Sequence, residues 1–168
     1  LCNNAKVNYD KETQEIEVIG DPTEVALYVL ARKAGLYDED NFPRQIEIFF
    51  DSQRKRMTTV NRQLEREEYE EDLIAYTKGS PPVIIERCNF VSISGQVVPI
   101  DDEIRNRVLE LNNDMASRAL RVLAIAFKVV DERLIDVDED DFLTEQEENI
   151  ESNLIFLGLV GMIDPARP

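Results

Sequence analysis

The sequence predicts an α+β fold, a mostly antiparallel β-sheet flanked by helices, and three observations carry that expectation. Short segments with alternating apolar residues recur along the chain, and several are joined by turn signals of the hairpin type. Helix-start signals follow strand-like runs at Asp21, Ser80 and Asp101, so the helices are inserted among the strands and should pack on the sheet. Regular strand and helix alternation is missing, as is any Gly-x-Gly-x-x-Gly or Walker-type loop, which sets a doubly wound parallel sheet aside.

Taken in order, Lys6 to Tyr9 and Glu15 to Ile19 alternate around an acidic turn and form a small hairpin. Asp21 is placed to cap a helix, with Pro22 at its first position and Glu24 able to close a capping box. Ala26, Leu27, Leu30, Ala31 and Ala34 then recur on one helical face, and Gly35 offers a left-handed stop. Phe42 to Phe50 reads as a strand, Asp51 to Arg56 as a basic turn, and Met57 to Leu64 as the returning strand. Glu65 to Asp72 is a charged linker.

Leu73 to Lys78 is a further strand, followed by a short helix over Ser80 to Cys88 with Ser80 as cap and Pro81 at the first position. Phe90 to Ile93 and Gln96 to Ile100 flank Ser94-Gly95 as a tight hairpin. Asp101 caps a longer helix whose apolar stripe is Ile104, Val108, Leu111, Met115 and Leu120. Leu120 to Phe127 is apolar enough to be a central strand. Asp131 to Asp141 is an acidic connector, Thr144 to Asn149 a short helix, and Leu154 to Ile163 a final strand, with Asp164 to Pro168 as a rigid exit.

Composition excludes several function classes. With 168 residues, 43% of them hydrophobic, the chain has the size of one domain and can bury roughly 70% of its unfolded surface. Its net charge of −16, from 35 acidic and 19 basic residues, argues against binding a nucleic-acid polyanion, while a local basic cluster could still meet a small anion. There is no histidine, and Cys2 and Cys88 form no disulfide framework or metal pattern, so zinc chemistry and histidine acid/base catalysis are excluded and a reducing, cytosolic setting fits best. No apolar run reaches the length of a membrane span. The chain starts at Leu1 rather than methionine and stops after an Asp-Pro pair, so it is expected to be a piece of a longer protein, residues 1–163 forming the domain and 164–168 its exit.

Four residues are candidates for ligand chemistry, each with an ordinary structural alternative. Lys78 ends a strand at a corner where Gly79 has no Cβ, so a ligand or another segment could come close; a solvated lysine is the alternative. Phe50 lies beside the only dense basic cluster, where it could stack on a base or simply be core. Glu24 could cap its helix, face a ligand, or do both. Arg121 enters an apolar strand and needs a partner, either an anion or one of the many carboxylates.

Five separated stretches, in this order, resemble the nucleotide-binding domain of P-type cation-transporting ATPases, particularly the calcium-pump-like type II group. They are Gly20-Asp21-Pro22-Thr23-Glu24-Val25-Ala26-Leu27, Phe50 to Met57, Lys78-Gly79-Ser80-Pro81, Arg118 to Leu123, and Asp164-Pro165-Ala166-Arg167-Pro168. Leu1-Cys2-Asn3-Asn4-Ala5 resembles the family's entry into this domain, so the likeness covers essentially the whole chain.

The resemblance implies that ATP is the ligand. Phe50 would stack on adenine, Lys78 would line the base pocket with Gly79 giving room, and Glu24 would bond near the base or hold the basic side chains. Lys55 would add positive charge, Met57 and Leu123 would supply apolar walls, and Arg121 would reach the phosphate end. Asp164 to Pro168 would lead to a phosphorylation domain. The resemblance further implies an ATP-driven cation pump as the parent, with this domain on the cytoplasmic side of a membrane, and an actuator domain and Mg-ATP as partners. The isolated piece is expected to be a monomer that does not touch the membrane.

Ser52 stands where some calcium pumps have arginine, and Pro82 where the family places an acidic residue. The chain lacks the Asp-Lys-Thr-Gly-Thr, Thr-Gly-Glu and Gly-Asp-Gly motifs, so it is expected to bind ATP without turning it over. Two other readings are a cap-like domain of a soluble phosphohydrolase and an acidic protein-interaction domain without nucleotide binding.

Overall fold

The computed structural model describes residues 1–9, 16–36, 42–63, 72–135 and 144–163. Its frame is a seven-stranded sheet in which every neighbouring pair but one is antiparallel, as the α+β expectation requires. A separate antiparallel pair, β1 (Lys6–Tyr9) and β2 (Ile16–Ile19), precedes it. Helix α1 (Pro22–Lys33) follows, capped by the Asp21 carboxylate, which accepts from the Thr23 amide, and it leads into Gly35 at φ +74°.

Strands β3 (Arg44–Asp51), β4 (Arg56–Gln63) and β5 (Asp72–Gly79) form a meander, and α2 (Pro81–Glu86) starts directly after it. The hairpin β6 (Cys88–Ile93) and β7 (Gln96–Pro99) turns on Ser94 and Gly95, both at positive φ (52° and 81°), the geometry of a two-residue turn suited to twisted strands. Helix α3 (Asp102–Ser117) is capped by Asp101 and leads to β8 (Leu120–Val130), a short 3-10 turn at Glu132–Leu134, α4 (Thr144–Ile150) and β9 (Leu154–Ile163). The strand order is β3-β4-β5-β8-β9-β6-β7, so the longest strands occupy the middle.

The apolar interior lies on one face of this sheet in two clusters. Ile84, Ile85 and Cys88 pack with Val91, Val108, Ala124, Ala126, Leu154 and Phe156 under α2 and α3. Ile48, Val60, Leu73, Ala75 and Val130 pack with Ile150 at the end of α4. Residues two apart on a strand share a face, which is why β8 sends Ala124, Ala126 and Val130 inward and leaves Leu123, Ile125 and Phe127 for the other side.

Three local expectations are corrected. Leu120 is the first residue of β8, not part of the α3 stripe, because Ala119 turns the chain at φ +59° after the helix ends. Leu111, placed on that stripe, is substantially exposed. Ser80 occupies the cap position of α2, but its side chain makes no capping hydrogen bond. Most of the charged linker, most of the acidic connector and the exit 164–168 lie outside the described residues.

Candidate functional site

The β3–β4 register contains a bulge. Ile48 pairs with Thr58 and Asp51 with Arg56, so Phe49 and Phe50 together stand opposite Met57. Across the next two interfaces Met57 pairs with Lys78, and Lys78 with Ile125. Directly paired residues share a face, which sets Phe50, Met57 and Lys78 along one row over three adjacent strands. Leu123 and Arg121 follow Ile125 at two-residue steps on the same face of β8.

The first turn of α1 crosses this row. Lys78 Nζ donates to Glu24 Oε1 at 2.6 Å, and Arg121 donates to Thr23 Oγ1 at 2.6 Å, so consecutive helix residues reach two adjacent strands. Asn3 Nδ2 donates to the Glu24 carbonyl at 2.8 Å, and the Cys2 thiol lies 3.5 Å from the Met57 carbonyl oxygen, which seats the opening residues beside the same row. Burial pushes the Cys2 thiol up, and the nearby Lys78 charge pulls it partly back. The hydrogen bonds from Thr23 hold the Asp21 carboxyl below its usual range, with a smaller contribution from the Arg121 charge.

These contacts decide several readings the sequence left open. Phe50 is not core: it is 62% exposed, and its neighbour Phe49 is 71% exposed. Lys78 is not a solvated surface charge, being only 7% exposed and paired with Glu24. The Glu24 carboxylate meets Lys78 while Asp21 performs the capping. Met57 is buried, Leu123 half-buried, and Arg121 and Lys55 exposed.

Gly79 gives room to the chain itself: a Cβ there would stand 2.5 Å from the Lys55 carbonyl oxygen and 2.8 Å from Arg56 Cβ. Another segment, not open space, fills that position.

The basic turn divides its charges. Lys55 sits exposed at φ +53°, while Arg54 and Arg56 turn to Glu151, whose side chain is wholly buried. Sequence reasoning missed both Glu151 and Phe49. A usable signal existed for Phe49, because two successive aromatics break the alternation of β3 and so mark a bulge. Glu151 left none, since one glutamate in an acidic stretch looks like its exposed neighbours.

The frame is thus a seven-stranded α+β sheet with helices on one face and, on the other, a row of aromatic, apolar and cationic residues crossed by the first turn of α1. The chain belongs to the family described as P-type ATPase, cytoplasmic domain N, which matches residues 1–168. It is 36% identical over 170 residues to a calcium-transporting ATPase of Bacillus cereus, covering 99% of this chain and 17% of that protein. A cation-transporting ATPase of Synechocystis is 37% identical over 172 residues, covering 100% of the chain and 17% of the relative. A sodium/potassium exporting P-type ATPase of Schizosaccharomyces pombe is 34% identical over 172 residues, covering 99% and 15%. The chain thus spans about a sixth of the length of these relatives. Among the described residues no helix is long and apolar enough to cross a membrane.

Proposed function

We propose that this domain binds adenine nucleotide by its adenosine end and presents the γ-phosphate to a phosphorylatable aspartate on another domain of a parent cation pump. The observation that carries the reading is the row Phe50, Met57, Lys78: an aromatic ring left in solvent, a buried apolar neighbour, and a nearly buried cation held by Glu24. A base offers a π-face to the ring and polar edges to Lys78 and Glu24, so these groups fit it. Stacking of this kind contributes on the order of 1–3 kcal/mol.

Met57 and Leu123 supply apolar contact beside the ring, and Gly79 lets β5 close against the Lys55 carbonyl so that Lys78 stays in its row. Lys55 and Arg121 are the exposed cations toward which a triphosphate can extend. The chemistry contributed here is positioning, which together with electrostatics supplies much of the rate in phosphoryl transfer. Magnesium accompanies the triphosphate, with its protein ligands on the phosphorylation domain. In that setting the domain lies on the cytoplasmic side of the membrane and works against phosphorylation and actuator domains of the same chain. The relatives' names differ in the ion carried, in keeping with ion choice by membrane segments.

One ring and a few charges in a negative background support a dissociation constant for ATP on the order of 0.1–1 mM. Titration with ATP, read by residue-resolved NMR, should shift the amides around Phe50 and Lys78. If Phe50→Ala and Lys78→Ala both bind as the wild type does, the site is elsewhere.

A further inference from the structure

On the opposite face of the sheet, Glu151 follows directly after α4, and its carboxylate is fully buried. Oε2 accepts from Arg54 at 2.7 Å and from Arg56 Nε at 2.5 Å, and Oε1 accepts from the Thr58 hydroxyl at 2.8 Å. Thr58 is in turn 2.9 Å from the Thr77 hydroxyl, so the carboxylate is tied into β4 and β5. Arg54 has a second engagement: its other terminal nitrogen donates to the Phe49 carbonyl at 2.7 Å. A bulge interrupts the ladder, and this bond engages a backbone carbonyl inside the interruption.

Stability alone is a poor account of this cluster. A buried carboxylate with two guanidiniums gives little net stabilisation over a well-packed apolar replacement, because desolvation offsets the attraction; what such clusters can supply is one defined geometry. The geometry here belongs to the bulge. Both of its rings project largely into solvent, so packing does little to hold them.

We propose that Glu151 is a positioning residue for nucleotide binding: through Arg54 it holds the Phe49 carbonyl, and with it the bulge that presents Phe50 to the base. The proposal rests on the nucleotide reading above. Glu151 never meets the ligand. It orients Arg54, Arg54 fixes the backbone, and the backbone aims the ring.

The test is NMR titration of this chain with adenosine and, separately, with ATP, for the wild type, Glu151→Gln, Arg54→Lys and Phe50→Ala. Arg54→Lys keeps the charge but loses the fork that reaches Glu151 and Phe49 together. Glu151→Gln and Arg54→Lys should each weaken adenosine and ATP by the same factor, about tenfold if most of the stacking is lost, and should displace the Phe49 and Phe50 amides in the free protein. A purely structural role would lower the unfolding temperature and leave the affinity of the folded protein unchanged. If Glu151→Gln fails to fold, Glu151→Asp, with the charge kept and the reach shortened, should show the same loss for both ligands.

Wild-type adenosine affinity in Arg54→Lys or in the folded Glu151 variant overturns the proposal, as does a loss confined to ATP, which would mean direct contact with phosphates. Phe50→Ala separates the two levels. No effect of Phe50→Ala on either ligand sinks the nucleotide reading itself, whereas a loss there with none in the other variants sinks only the role of Glu151.

Discussion

Lys78 Nζ lies 2.6 Å from Glu24 Oε1, joining a strand end to the first turn of a helix 54 positions earlier in the chain. The two side chains are 9% and 15% exposed, so the pair is largely withdrawn from water. Desolvation makes the partners dependent on each other: removing one charge leaves the other poorly solvated. The same pair brings α1 onto the sheet face that carries Phe50 and Met57.

Lys78→Met should therefore cost about 3 kcal/mol in urea unfolding, because it strands the Glu24 carboxylate. Lys78→Met combined with Glu24→Gln should recover at least half of that loss. Additive single and double effects would show that the two residues are not coupled in the folded chain.

Two glycines make a paired test of what the sheet tolerates. A Cβ on Gly79 would meet backbone, the Lys55 carbonyl oxygen at 2.5 Å and Arg56 Cα at 3.0 Å. A Cβ on Gly161 would meet the Met115 terminal methyl at 2.5 Å and Leu120 Cδ1 at 3.1 Å, both ends of flexible side chains. Gly79→Ala should cost about 2 kcal/mol or more and Gly161→Ala under about 1 kcal/mol, measured by chemical denaturation. Equal costs would mean that β4 can move away from β5 more easily than their register implies.

The difference between those glycines also shows what the sequence could and could not reveal. Turn and cap chemistry is local, so Asp21, Asp101, Ser94-Gly95 and Gly35 could be read directly, and strand β9 was legible from its apolar run. Lys78-Gly79 was legible as a corner, but its partners were not, since Glu24 and Lys55 come from other elements. The family pattern gathered Phe50, Lys78, Glu24 and Arg121, and the register places the first two in one row while α1 ties in the others. Glu151 was invisible because burial of a carboxylate depends on two arginines nearly a hundred residues away, not on its neighbours.

The Cys88 thiol is fully buried among Ile84, Ile85 and Leu154, and burial pushes it from an ordinary 9.0 up to about 12. The neutral form is thus favoured by the fold. Above pH 9.0 the unfolded chain gives up this proton before the native one does, so the stability present below that pH is lost as pH rises toward 12. By about pH 10.5 the loss should reach roughly 2 kcal/mol. Cys88→Ala removes this component, so the stability gap between wild type and variant should narrow between about pH 8 and 10.5. Parallel stability curves would refute the assignment to Cys88.

In the proposed nucleotide site Arg121 would serve the phosphates and not the base. It stands four residues along β8 from Ile125, the partner of Lys78, which at about 3.4 Å per residue puts it roughly 14 Å from the row that would hold the base. Its guanidinium is exposed and donates to the Thr23 hydroxyl, and its charge also acts on the Asp21 carboxylate at the cap of α1. A solvent-exposed contact of this kind contributes about 1 kcal/mol, so Arg121→Ala should weaken ATP about fivefold and leave adenosine unchanged. The ATP effect should shrink at high salt, because screening acts on exposed charges. Phe50→Ala should weaken both ligands by the same factor at any salt, since stacking on a neutral ring is not screened. If Arg121→Ala instead weakened adenosine and ATP equally, the phosphates would not extend along β8, and the direction assigned to the bound nucleotide would have to be reversed.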